Sequence, residues 1–228
     1  MDNNVFLLVL IATVMHAVWN AMVKKHPDKV VAVSGIVFGH VPCCLIAIIL
    51  LPAPSIECLP YIIASVFIHQ GYQWFLLSSY QIGDFTKVYP IARGTGPLVA
   101  TIISILFLSL VLDNLIILSI FFICFGILVL GIFDRSNKKN LKIIQYSLFT
   151  GFFIGLYSLV DGYGARISLS AITYISWSFL LNAFLFYFLL GFKDHKNVFK
   201  KVMKKGKQIF WIGGTLSYVI YIIVVWGF

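Results

Sequence analysis

Charge is what this sequence has least of. Eight Asp and Glu residues stand among 228 positions, and charged residues of every kind make up 11%, where soluble domains carry about 25%. A surface that water will wet cannot be built from so little, and a soluble globular domain is excluded. Cysteine is also sparse. Cys43, Cys44, Cys58 and Cys124 show neither CxxC spacing nor a framework borne on loops, so no disulfide or metal is implied and they read as packing residues. Enzyme signatures are missing: there is no HExxH, no GxSxG, no phosphate loop and no pair of carboxylates within an apolar run. Hydrolysis or group transfer has no visible agent, and neither catalysis nor a cofactor is expected. The start, Met1-Asp2-Asn3-Asn4, is acidic, and the apolar run after it has no small-residue cleavage site, so that run reads as a retained helix and not a signal peptide.

What is present is apolar: 61% of the residues are hydrophobic. A helix crossing a bilayer needs ~20 mostly apolar residues, because each adds 1.5 Å to a path of ~30 Å. Runs of that kind recur between polar breaks and predict helices over 4–23, 30–52, 60–82, 87–110, 114–133, 143–163, 171–192 and 209–228. The runs are too long for strands and lack the alternation of a membrane barrel. The fold class expected is an all-α polytopic membrane bundle of about eight transmembrane helices.

The net charge of +9 raises nucleic acid as a partner, yet the cations sit almost wholly in short breaks between apolar runs, which is the pattern of membrane topology. Lys24, Lys25 and Lys29 follow helix 1, Lys87 follows helix 3, and Arg135, Lys138, Lys139 and Lys142 follow helix 5. Lys193, Lys196, Lys200, Lys201, Lys204, Lys205 and Lys207 follow helix 7, whereas the breaks after helices 2, 4 and 6 offer only Arg166. Positive loops stay cytoplasmic, so the N-terminus is placed outside. Within residues 193–207, Val198, Phe199, Val202 and Met203 recur at helical spacing among lysines. That pattern reads either as a short helix against anionic lipid or as a solvated positive loop.

An internal repeat is the most informative pattern. His16-Ala17-Val18-Trp19-Asn20 precedes Lys25 in helix 1, and Tyr157-Ser158-Leu159-Val160-Asp161 precedes Arg166 in helix 6. Each places two polar residues four apart on one helix face with a cation after them. A second echo links Tyr72 through Tyr80 to Tyr218 through Trp226. Five helices from helix 1 to its counterpart is an odd step, so the copies would run oppositely through the bilayer, as in many secondary transporters.

A polar side chain in the bilayer is costly, by about 2.5–3.5 kcal/mol for a central charge, so each one asks for a reason. Arg93 lies in Tyr89-Pro90-Ile91-Ala92-Arg93-Gly94-Thr95-Gly96-Pro97, where two prolines and two glycines predict a kinked or broken start to helix 4. Such a site suits a bidentate guanidinium facing a carboxylate or phosphate; snorkelling to headgroups is the other reading. Asp161 is the one acidic residue embedded in an apolar run. It is a candidate for proton coupling, or else it ends helix 6 in an interfacial pair with Arg166. His16 with Asn20, and His69 with Gln73 beside Tyr72, offer uncharged donors and acceptors for a polar cavity, or for hydrogen bonds between helices. His40, alone in its helix, reads as a packing histidine. The pairs Gly35/Gly39 and Gly151/Gly155 read as close-packing positions.

The run from His16 to Asn20, the run from Tyr89 to Gly94, and Asp161-Gly162-Tyr163-Gly164-Ala165-Arg166 together resemble the EamA-type branch of the drug/metabolite transporter superfamily, over the whole chain. The resemblance implies a ten-helix carrier of two inverted five-helix repeats that moves small metabolites across the inner membrane, with Arg93 and the His16/Asn20 pair facing a central cavity. On that pattern residues 1–134 are the first repeat, with five helices. Residues 141–228 are an incomplete second repeat with three, so truncation after the eighth helix is expected. The function expected is a secondary transporter of a small polar or anionic metabolite by alternating access, with Arg93, His16, Asn20, His69, Tyr72 and Gln73 at the substrate. The alternative is a non-transporting membrane scaffold or assembly partner. Partners expected are the substrate and membrane lipids, with no nucleic acid; a homodimer is left open.

Overall fold

The computed structural model describes residues 3–108, 112–132, 138–192 and 197–226. Among these residues every regular element is helical. The α-helices are α1 (Asn3–Lys25), α2 (Lys29–Leu50), α3 (Leu59–Ile82), α4 (Phe85–Leu108), α5 (Asn114–Ile132), α6 (Lys138–Ile167), α7 (Ala171–Phe192), α8 (Val198–Lys205) and α9 (Gly214–Trp226). A 3₁₀ turn, Ile56–Cys58, precedes α3, and a π-helical turn, Ile209–Gly213, leads into α9. Five described helical segments are long and apolar enough to cross a membrane: α2, α4, α6, α7 and the segment Ile209–Trp226. This fits a helical membrane protein. The described side chains of α5 give only a shorter apolar stretch, Asn114–Gly126.

Two expectations need correction. Helix 4 is neither broken nor interrupted: α4 runs through both Pro90 and Pro97. Each proline removes one backbone donor, and membrane helices tolerate that loss where neighbouring groups take up the freed carbonyl. Helix 6 does not end at Asp161, since α6 continues to Ile167. The π turn occupies the first residues of the segment predicted as helix 8. Of the predicted breaks, Arg135, Lys193 and Lys196 lie outside the described residues.

By packing, the chain forms two compact units: residues 1–70 with 160–228, and residues 71–159. The division falls within α3 and within α6. In the first unit α2 packs on α7, α8, α9 and the π turn. Glycine sets how close these elements come. A Cβ on Gly39 would strike the carbonyl of Phe210 and the Cα of Gly214, both of them backbone, and one on Gly35 would press on Ile209. The turn between α1 and α2 is closed by side chains. Asp28 caps α2 by accepting from Val31 N at 3.1 Å. Lys29 Nζ donates to the carbonyls of Val23, Lys24 and His26 at 3.1, 2.8 and 2.9 Å, which serves the unpaired carbonyls ending α1. Cys44, Cys58, Ile62, Ala165, Tyr174, Ile175, Phe179, Tyr218 and Val225 form a buried core in this unit.

In the second unit, Gly151 and Gly155 of α6 lie against Ala92, Thr95, Gly96 and Val99 of α4. This is the close approach that their four-residue spacing suggests, and Gly35/Gly39 behave likewise in the first unit. Phe75 of α3 stacks with Phe149 and Phe153 of α6, at centroid distances of 4.9 and 5.7 Å. The four cysteines are free, with Cys44 and Cys58 buried.

Candidate functional site

The polar residues singled out in the sequence fall into separate clusters within the two units. In the first unit Asp161 is completely buried. Tyr174 Oη donates to its Oδ1 at 3.1 Å and Tyr221 Oη donates to its Oδ2. His69 Nε2 lies 3.9 Å from Oδ2. The other side of the His69 ring meets Ser65, with Nδ1 at 3.0 Å from the backbone carbonyl and 3.3 Å from Oγ. Three helices, α3, α7 and α9, therefore supply groups to one carboxylate carried by α6.

Local structure explains each placement. Ser65 and His69 are one turn apart on α3, so the ring lies back over the preceding turn. The α6–α7 connection is short, which folds Tyr174 back beside Asp161 thirteen residues earlier. Gly164, one turn after Asp161 on nearly the same face, has no side chain where the Tyr174 ring lies, and a Cβ there would collide with that ring. Phe179 packs edge-to-face with His69 at 5.6 Å and against Tyr221 at 5.0 Å. His40 stacks on Phe179 at 4.6 Å, and neither of its ring nitrogens has a hydrogen-bond partner among the described residues. Beyond this cluster, Gln70 Nε2 donates to Asn182 Oδ1 at 2.6 Å and to its backbone carbonyl at 3.0 Å, and the Ser176 and Tyr218 hydroxyls meet at 2.6 Å.

The second unit holds Arg93. It stands about two turns into α4, half-buried, with its guanidinium carbon 5.6 Å from the centre of the Tyr89 ring. The hydroxyls of Tyr72, Tyr157, Tyr89 and Tyr80 are within electrostatic reach of its charge. Tyr72 and Tyr157 meet edge-to-face at 5.5 Å. Among the described residues no carboxylate forms an ion pair with Arg93. Gln73, next to Tyr72 on α3, is buried, and its Oε1 has no hydrogen-bond partner among the described residues.

The helix 1 pair is bonded to itself. Asn20 Nδ2 donates to the His16 carbonyl at 2.7 Å and lies 2.9 Å from His16 Nδ1, while the His16 ring stacks on Trp19 at 4.9 Å. Thus His69 comes together with Asp161, Tyr72 with Arg93, and His16 with Asn20. Among the described residues no group of His, Cys, Asp and Glu could hold a metal ion.

Tyr174 and Tyr221 were not singled out from the sequence. Tyr174 could have been found by folding the α6–α7 hairpin about its three-residue break, which sets positions near 161 opposite positions near 174. Tyr221 carries no such signal, because its direction depends on the π turn before it. No family model, no curated protein and no solved structure matches the chain.

Proposed function

We propose that the chain is a membrane carrier of a small polar or anionic metabolite, working as a secondary transporter, and that Arg93 receives the anionic group. The observation that carries this reading is a guanidinium within an apolar helix, over the Tyr89 ring, within electrostatic reach of Tyr72, Tyr157 and Tyr80, and paired with no carboxylate of the described residues. A fixed cation in that setting is costly unless an anion joins it, and planar guanidinium suits carboxylate or phosphate. The unpartnered Gln73 Oε1 adds an acceptor, which favours a substrate that also bears a donor such as an amine or hydroxyl.

The finer architecture belongs to the same proposal: about eight spanning helices, inverted repeats like those of EamA-type carriers, an inner or plasma membrane location and an N-terminus outside. Two contacts support the alternation of ends. His26, just after α1, donates through Nε2 to the carbonyl of Lys205 at 3.1 Å, which joins the two lysine-rich breaks after helices 1 and 7. Tyr61 near the start of α3 and Tyr163 near the end of α6 pack at 5.1 Å, which joins the two cation-poor breaks.

Reconstituted protein tested for counter-flow of labelled carboxylates, amino acids and phosphate esters should exchange one class. Arg93→Ala should abolish that exchange and Arg93→Lys should weaken it, with helicity retained. Exchange unaffected by Arg93→Ala removes Arg93 from the site; no exchange of any class by the wild type favours the scaffold reading.

A further inference from the structure

The geometry of the first unit points to a proton-binding site. We propose that Asp161 and His69 hold one proton between them and that this proton is the coupling ion of the carrier; the coupling rests on the transport reading, the proton site does not.

The ring orientation decides the matter. The Ser65 carbonyl can only accept, so at 3.0 Å it takes a hydrogen from His69 Nδ1. A neutral ring that donates from Nδ1 presents a lone pair at Nε2. That lone pair faces Asp161 Oδ2 at 3.9 Å, and a carboxylate oxygen also presents only lone pairs. Two such atoms repel in a buried setting until a proton sits on one of them. With the proton on Nε2 the pair is imidazolium and carboxylate; with it on Oδ2 the pair is imidazole and acid. Either way the net charge is zero. Loss of that proton to water leaves one negative charge, and the hydroxyl donors of Tyr174 and Tyr221, one on each carboxylate oxygen, are placed to hold it.

The surroundings agree with a site that must exist in two states. From every helix around the carboxylate the facing groups are polar or titratable: Ser65 and His69 on α3, Tyr174 on α7 and Tyr221 on α9. On α2, His40 stacks on the Phe179 ring that also packs against His69. Arg166, further along α6, is exposed while Asp161 is completely buried. A group meant only to tie helices together would not need an aspartate with donors on both oxygens and a histidine aimed at one of them.

The test is infrared difference spectroscopy of the whole chain in lipid nanodiscs, between acidic and alkaline buffer, in light and heavy water. The wild type should show a protonated-carboxyl band that exchanges with deuterium and disappears together with an imidazole band. Asp161→Asn should remove the carboxyl band, and His69→Gln should move the pH at which that band titrates. A spectrum unchanged by Asp161→Asn, or a carboxyl titration untouched by His69→Gln, overturns the shared site. Tyr221→Phe serves as a second perturbation if either variant fails to fold, and it too should move the carboxyl titration; an unmoved titration counts against the site. In liposomes a pH gradient should then drive uptake of the exchanged substrate in the wild type and not in Asp161→Asn. Counter-flow without any response to the gradient overturns proton coupling. A clear infrared titration in protein that exchanges no substrate leaves the proton site standing and sinks the carrier reading.

Discussion

Tyr174 and Tyr221 reach the same carboxylate from different helices: one hydroxyl donates to Asp161 Oδ1 and the other to Oδ2. A hydrogen bond contributes about 0.5–1.5 kcal/mol net, so each tyrosine should matter for stability. Tyr174→Phe and Tyr221→Phe should each lower the thermal unfolding midpoint in detergent. The double variant should lose less or more than the sum, because both act on one group. Strict additivity in a double-mutant cycle would show that the two do not share Asp161.

Gly39 offers a sharper test of packing. A methyl group there would meet the backbone of Phe210 and Gly214, and backbone cannot swing aside as a side chain can. Gly39→Ala should therefore cost about 1–3 kcal/mol, on the scale of overpacking a dense core. Gly191→Ala, where nothing lies within 4 Å of the added carbon, should be neutral or stabilising. Equal melting behaviour of the two variants would contradict the close approach of α2 to the π turn.

Lys29 donates to three carbonyls at the end of α1. Lys29→Met keeps most of the stem and removes the donors. It should lower stability by about 1 kcal/mol and raise amide exchange in the last turn of α1. Exchange rates there that match the wild type would mean the ammonium does not hold that helix end.

Leu169 has a backbone φ of 57° and is 94% exposed. A left-handed backbone costs a branched or bulky residue roughly 1–2 kcal/mol, and there is no buried contact here to offset it. Leu169→Asn should raise the unfolding midpoint, since asparagine tolerates this conformation. A lower midpoint would show that the leucine side chain contributes something its exposure hides.

The helices were legible because membrane insertion writes itself into long apolar runs. The reading 171–192 coincides with α7, and the others differ mainly at their ends. α6 exceeds its predicted span because lysines at 138, 139 and 142 are themselves good helix formers, so hydropathy understates its length. α8 follows the helical spacing of Val198 and Val202 among lysines, one of the two readings of that segment, and both valines are buried. The site was half legible. Asp161 and Arg93 stand out as charges in apolar helices, and His69 as a titratable group in one. Tyr174 and Tyr221, the partners of Asp161, lie on other helices, and tyrosine is too common in this chain, at 11 residues, to stand out. The prolines did not break helix 4, since helix breaking depends on whether the freed groups find other partners, and sequence spacing does not reveal that.

The π turn at Ile209–Gly213 gives the last helix a different phase. Such a turn holds one residue more than α-helical winding would, so everything after it is rotated by about 100° about the axis. Tyr218 and Tyr221 follow it, and their directions toward Ser176 and Asp161 include that rotation. A chain one residue shorter between Gly206 and Gly214 would keep the same aromatic letters yet turn both hydroxyls off their partners. In this segment the count of residues therefore carries as much instruction as their identity.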